Sequence, residues 1–231
     1  SAHLRERVHA GQKIAVVTSD ITRPVPSHVI LPEILRELSA GGIPDKDINI
    51  VFALGSHREH TEDEKRRLAG SAVYDRIRCI DLDTSDCVHL GETSRRTPVD
   101  IFRPVAEADF RVCIGNIEYH YFAGYSGGMK AIMPGVSTRA AIQSNHSRMV
   151  EPEAAAGRLN GNPVREDIDE AAEFCPADFI VNVVLDEKKE IIHCVSGHYL
   201  EAHRAGCNFL DRLYKVEIPH RADIVVVSAG G

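Results

Sequence analysis

KIAVVTSDITRPVPSHVILPEILRELSAGG, residues 13–42, passes from a short apolar run through a polar, proline-bearing loop into a segment of helical period. Lys13 to Thr18 is rich in β-branched residues and reads as a buried strand. Ser27 is placed to cap a helix from about His28 to Ala40, which Gly41-Gly42 ends. Pro32 lies just past its first turn, where it can distort the start. The same alternation recurs downstream. Ile48 to Leu54 is a second strand, and Thr61-Glu62-Asp63-Glu64 is a capping box that opens a helix at Glu62. Arg76 to Ile80 is a third strand and Phe110 to Ile114 a fourth. Strands alternating with helices predict an α/β fold, with a largely parallel sheet and helices on both faces.

Farther along the pattern changes. Pro163 to Phe174 reads as a helix, and Phe179 to Leu185 and Glu190 to Val195 as a hairpin around a charged turn, Asp186 to Lys189. His198 to Tyr214 reads as a long helix and Ile224 to Val227 as a last, buried strand running into the Gly230-Gly231 turn. The sheet is therefore expected to be mixed. The chain starts without Met and stops on that strand, which suggests a fragment of a longer, two-domain protein.

Composition bounds the function. The 231 residues are 43% hydrophobic and 26% charged, ordinary for a globular protein with a real core. A formal net charge of −7 argues against a general nucleic-acid binder. No apolar run approaches the ~20 residues that span a bilayer, and Ser1 to Gln12 lacks a signal-peptide pattern. A cytoplasmic protein with no membrane partner is expected. The six cysteines, at 79, 87, 113, 175, 194 and 207, form no CxxC pair and read as reduced and structural.

Three polar clusters follow predicted strands, where ligands gather in parallel α/β sheets. Ser19-Asp20-Ile21-Thr22-Arg23-Pro24-Val25-Pro26 puts an acid, a hydroxyl and an arginine on a loop stiffened by prolines. The arginine fork suits a carboxylate or phosphate; a solvated turn with an Asp cap is the plainer alternative. Gly55-Ser56-His57-Arg58-Glu59-His60-Thr61 sits between a strand end and a helix start. His57 is placed for acid–base work, and His60 for helix entry. Gly115 to Lys130 (GNIEYHYFAGYSGGMK) offers glycines at 124, 127 and 128 that let amides approach an anion, followed by Lys130 as a point charge or nucleophilic amine. It lacks Walker A spacing, because no Ser or Thr follows the Lys. Downstream, Ser137 or Thr138 caps a helix from about Arg139 to Met149 that carries His146. No HxxxH or HExxH accompanies it, so a helix-borne zinc site is not indicated.

Taken in order, Ser19 to Pro26, Gly55 to Arg58 with Thr61-Glu62, His120 with Ala123 to Lys130, and His146 resemble the lactate racemase family, whose members use a nickel-pincer nucleotide. The resemblance implies that residues 1–231 are an N-terminal cofactor-binding domain, followed in the family by a second domain that adds a Lys and a Gln. It implies that Lys130 holds the cofactor covalently and that His146 is the one protein ligand to nickel. A square-planar nickel(II) site with soft donors suits that chemistry. His57 and His120 would be paired acid–base residues, Arg23 would bind the substrate carboxylate, and Asp20 would position the cofactor or Arg23. Ser126, Gly127 and Gly128 are candidates for the cofactor phosphate. The implied reaction is racemisation or epimerisation of a small 2-hydroxy acid by proton-coupled hydride transfer, with cofactor-making enzymes as partners. Two other readings compete: a phosphate- or nucleotide-binding module without catalysis, and a zinc hydrolase built on His57, His60 and His120. An interaction domain that has lost its activity is a third. The remaining histidines and the charges of Glu62 to Arg67 read as structural or solvated.

Overall fold

The computed structural model describes residues 3–220 and 222–228. In chain order its strands are β1 (Ile14–Ser19), β2 (Ile48–Ala53), β3 (Arg78–Asp81), β4 (Cys87–Glu92), β5 (Pro98–Phe102), β6 (Phe110–Asn116), β7 (Tyr119–His120), β8 (Gly124–Tyr125), β9 (Phe179–Leu185) and β10 (Ile191–Gly197). The helices are α1 (Ser27–Ala40), α2 (Glu62–Ala69), α3 (Ser71–Tyr74), α4 (Arg103–Ala106), α5 (Arg139–His146), α6 (Pro163–Glu170) and α7 (Tyr199–Tyr214).

Six strands form one sheet in the order β10-β9-β6-β1-β2-β3. All neighbours are parallel except the β9–β10 hairpin at one edge. This is the expected α/β fold with a mixed, largely parallel sheet. Both faces are buried, which explains why the central strands read as continuous apolar runs. In β1, Ile14 and Val16 pack with Leu31, Ile34 and Leu38 of α1, whereas Ala15 and Val17 pack on the other side with Val105, Met129, Val164 and Ile168. α7 closes the hairpin edge through Cys207 and Leu210 against Val184 and Ile117.

Local chemistry explains the element ends. Thr61 accepts the Glu64 N–H and Glu64 returns a bond to the Thr61 N–H, so α2 starts at the predicted capping box. α1 ends in a Schellman turn: Gly42, at φ +88°, donates to the Ser39 carbonyl and Ile43 to that of Leu38. Thr138, not Ser137, caps α5, and His198 caps α7.

The structure corrects four expectations. Ser27 is the first residue of α1 and makes no cap; its hydroxyl is instead buried against Thr18 Oγ1 at 2.7 Å. The helices expected to run on to Met149 and Phe174 end as α-helix at His146 and Glu170 and finish in 3₁₀ turns. Ile224 to Val227 form no strand and are exposed, because no strand edge among the described residues pairs with them. Ala229 to Gly231, the expected turn, lie outside the described residues. The antiparallel ribbon β4–β5 was not foreseen. All six cysteines are free, as expected. No helix of the described residues is long and apolar enough to cross a membrane.

Candidate functional site

β1 leads by way of α1 to β2 on one side, while β6 lies against its other edge, so strand order reverses between β1 and β6. The crevice beyond the carboxyl ends of strands at such a point is the standard ligand position in doubly wound sheets. A cavity of about 630 Å³ opens there. Asp20, Arg23, His57, His120, Ser126, Gly127, Gly128, Lys130 and His146 all line it. These nine come from the loops after β1, β2 and β6 and from α5, and they are the nine candidates drawn from the sequence.

On one side stand the β1 and β2 loops. His57 Nδ1 donates to the Asp20 carboxylate, whose other oxygen accepts the Thr22 hydroxyl at 2.7 Å and the Thr22 N–H at 3.0 Å. Nδ1 is thereby the protonated nitrogen of the neutral ring, and Nε2 is left as the acceptor. Asp20 thus turns to His57; it forms no ion pair with Arg23 among the described residues. His60 serves structure. Its Nε2 accepts the Ile21 N–H at 3.0 Å and its Nδ1 donates to Asp81 at 2.7 Å, tying the two loops together. With both ring nitrogens engaged, His60 cannot join His57 and His120 around a zinc ion. Among the described residues no group of three or more His, Cys, Asp or Glu is placed to hold a metal.

The other side is the β6–α5 segment. Phe122 is buried at its centre, with the His120 ring 4.5 Å away, the His146 ring 4.9 Å away and Lys130 Nζ 5.9 Å from its own ring centre. Burial, then Arg165 and Arg23, lowers the Lys130 ammonium to about 7, so a large fraction is neutral amine near neutral pH. Burial and then Lys130 lower His120 to about 3 and His146 to about 4, leaving both rings neutral. His120 Nδ1 accepts the Ala123 N–H at 3.2 Å, so its proton sits on Nε2. His146 Nδ1 faces Asn145 Oδ1 at 3.0 Å and must donate, which leaves a lone pair on Nε2.

The glycine loop is tied into the protein. Ser126 N–H donates to the Glu118 carbonyl at 2.9 Å, the Ser126 hydroxyl to that of Asn116 at 2.7 Å, and Gly128 N–H to Asn182 Oδ1 at 2.8 Å. Only the Gly127 amide of the three lacks a partner among the described residues, so this loop offers an anion one donor, not a cradle. Beneath it, fully buried Arg165 donates to the Ala123 carbonyl at 3.3 Å and to that of Tyr125. His203 Nε2–H holds the Ser126 carbonyl at 2.8 Å.

Sequence reasoning missed Phe122, Asn145, Arg165, Asn182 and His203. Phe122 alone carried a signal, as an apolar ring inside a loop of glycines and polar residues. Arg165, Asn182 and His203 lie on separate elements and meet the site only in the folded chain, whereas Asn145 adjoins His146 on α5 and carried no reactive signal of its own.

Residues 1–157 match the lactate racemase N-terminal domain family. The chain is 36% identical over 236 residues to the lactate racemase of Lactiplantibacillus plantarum, covering 100% of this chain and 55% of that protein. It is 34% identical over 233 residues to the lactate racemase of Thermoanaerobacterium thermosaccharolyticum, covering 99% and 54%. It thus spans about half the length of the curated relatives it matches. The lactate racemase apoprotein structure from the latter organism superposes with a TM-score of 0.83 at 32% identity, covering 90% of this chain and 51% of that one. A Thermotoga maritima protein of TM-score 0.75 and 23% identity, covering 91% and 57%, shares the fold.

Proposed function

The chain belongs to the lactate racemase N-terminal domain family, and from that membership we propose that residues 1–231 form the cofactor-carrying domain of a nickel-dependent 2-hydroxy-acid racemase or epimerase. The convergence of nine candidates from four segments on one cavity carries this reading. The cavity is also of the size that small-molecule and cofactor sites have, roughly 300–1,000 Å³.

The residues present fit a nickel-pincer nucleotide. Lys130, held near its neutral form, is the amine suited to covalent attachment. His146 offers one unprotonated imidazole nitrogen, and the lack of further ligands among the described residues agrees with a metal whose other donors come with the cofactor. When bound, that group supplies the acceptor for the hydrogen on C2 of the substrate. The protein's own residues do the rest. Arg23, without an ion-pair partner among the described residues, binds the substrate carboxylate. His57 takes the hydroxyl proton at Nε2 while Asp20 steadies the imidazolium that forms. His120, neutral, would donate an Nε2–H hydrogen bond to the same oxygen once the planar keto acid has turned over, and the proton taken up by His57 would return to that oxygen through solvent. For the opposite enantiomer His120 must accept, which asks it to move its proton to Nδ1 and give up the Ala123 contact.

The test is intact mass and nickel analysis of the chain produced together with the cofactor-making enzymes. A covalent adduct of pyridinium-mononucleotide size and about one nickel per chain are expected. Lys130→Ala should lose the adduct and His146→Ala the nickel. An adduct that survives in Lys130→Ala would remove Lys130 as the anchor.

A further inference from the structure

Behind the cavity lies a set of buried polar groups that the proposed chemistry does not use. Asp167 of α6 is fully buried. One of its oxygens accepts the Thr93 hydroxyl at 2.6 Å; the other accepts the Thr97 hydroxyl and Asn145 Nδ2, both at 2.7 Å. Asn145 is also fully buried, and its Nδ2 donates a second bond to the Val164 carbonyl at 3.1 Å. A primary amide has two N–H donors. Both point at groups that only accept, so the orientation of the Asn145 amide is determined. Its Oδ1 must face His146 Nδ1, 3.0 Å away. An amide oxygen only accepts, so that nitrogen must carry the ring proton.

We infer that Asn145, anchored by Asp167, is a positioning residue that locks His146 in the Nδ1–H form and so keeps Nε2 unprotonated on a ring that lines the cavity. Metal-binding histidines commonly depend on such a partner for their second nitrogen. Here the partner is an amide, itself aimed by a carboxylate on another helix. The residue types follow from the arrangement: an Asp at 145 would set two carboxylates face to face, and an apolar residue at 167 would strand the Thr93, Thr97 and Asn145 donors. The inference rests on His146 being the metal ligand, but the tautomer it predicts belongs to the metal-free chain.

The experiment is a long-range ¹H–¹⁵N correlation spectrum of the labelled, metal-free chain at about pH 8, where imidazoles are neutral, with His146 assigned by its disappearance in His146→Gln. Wild type should show His146 protonated on Nδ1. Asn145→Ala should lose that pattern in favour of the Nε2–H form that free imidazoles prefer. Thr93→Val, which removes a donor from the far oxygen of Asp167, should cost stability and leave the tautomer unchanged. Wild-type His146 in the Nε2–H form overturns the inference, as does a folded Asn145→Ala that keeps Nδ1–H. Should Asn145→Ala fail to fold, the wild-type and Thr93→Val spectra still decide. The predicted tautomer in a chain that takes up neither adduct nor nickel would sink the cofactor proposal and leave the positioning role intact.

Discussion

The two walls of the cavity are built on opposite electrostatic plans. The wall of β1 and β2 loops sets His57, with 41% of its side chain exposed, against a buried carboxylate. The wall from β6 to α5 gathers His120, Lys130 and His146 around Phe122, and the charged groups that shift them are cations. The first arrangement fixes the ring by its Nδ1–H and leaves Nε2 free to accept. The second, through burial and neighbouring cations, lowers an amine and two imidazoles toward their neutral forms, which suits the roles proposed for them. One site therefore holds two environments for the same residue type, set by neighbours and not by sequence spacing.

The largest effect should come from breaking the carboxylate-backed wall. In the cofactor-loaded enzyme, His57→Ala removes the proposed base and should lower kcat/KM about 10²–10⁴-fold, the usual yield of general acid–base catalysis. Its thermal stability should also fall, by about 1–3 kcal/mol, because the buried Asp20 oxygen loses the donor it faces. A variant that keeps full turnover would show that the Asp20–His57 pair is not the proton acceptor, and the contrast between the walls would lose its functional meaning.

Next comes the packing of the cationic wall. Gly124 has φ +78°, and a Cβ built on it would stand 2.1 Å from the Arg158 carbonyl oxygen. Backbone strain and overpacking together should make Gly124→Ala cost about 3–5 kcal/mol, read as a fall in the urea midpoint. A cost under about 1 kcal/mol would mean that the loop carrying His120 and Lys130 gives way easily.

The sequence made the walls legible to unequal degrees. Strands β1, β2, β6 and β9 are apolar runs because both faces of the sheet are covered, and such runs are visible without any structure. His57, His120 and Lys130 stood out as reactive types in loops after strands, while His146, inside an expected helix, was singled out only by the family resemblance. The support of the cationic wall was not legible. Arg165, Asp167 and Asp169 sit in PVREDIDE, which looks like a solvated helix face, yet Arg165 and Asp167 are fully buried. Their partners, Ala123, Tyr125 and Asn145, are more than a dozen residues away in the chain, so nothing local marks them. The β4–β5 ribbon escaped for another reason. Its strands are half-buried and interrupted by Gly91 and charges, which blurs the period of two.

A smaller effect tests the neutrality of the second wall directly. The folded state lowers Lys130 from 10.5 to about 7, so the unfolded chain binds its proton more readily over that range. Stability should therefore rise with pH from about 7 to 10.5, and the cost of holding this amine is greatest at pH 7 and below. Lys130→Met should raise Tm at pH 7, with the advantage shrinking as pH approaches 10. An advantage that does not depend on pH would reflect packing alone.

The smallest effect belongs to the counterpart of Gly124 on the first wall. Gly55 also has a left-handed backbone, φ +56°, and opens the loop that carries His57. A Cβ there would meet only the Pro134 carbonyl oxygen, at 3.9 Å, an ordinary contact. The two glycines thus share the sign of φ and differ in surroundings. Gly55→Ala should cost about 1 kcal/mol, the conformational penalty without a clash, against several for Gly124→Ala. Equal costs at the two positions would mean that backbone conformation dominates both. Unequal costs in the predicted order would mean that the backbone at Gly124 is hemmed in by the approach to α6, while the backbone at Gly55 stands clear of its neighbours.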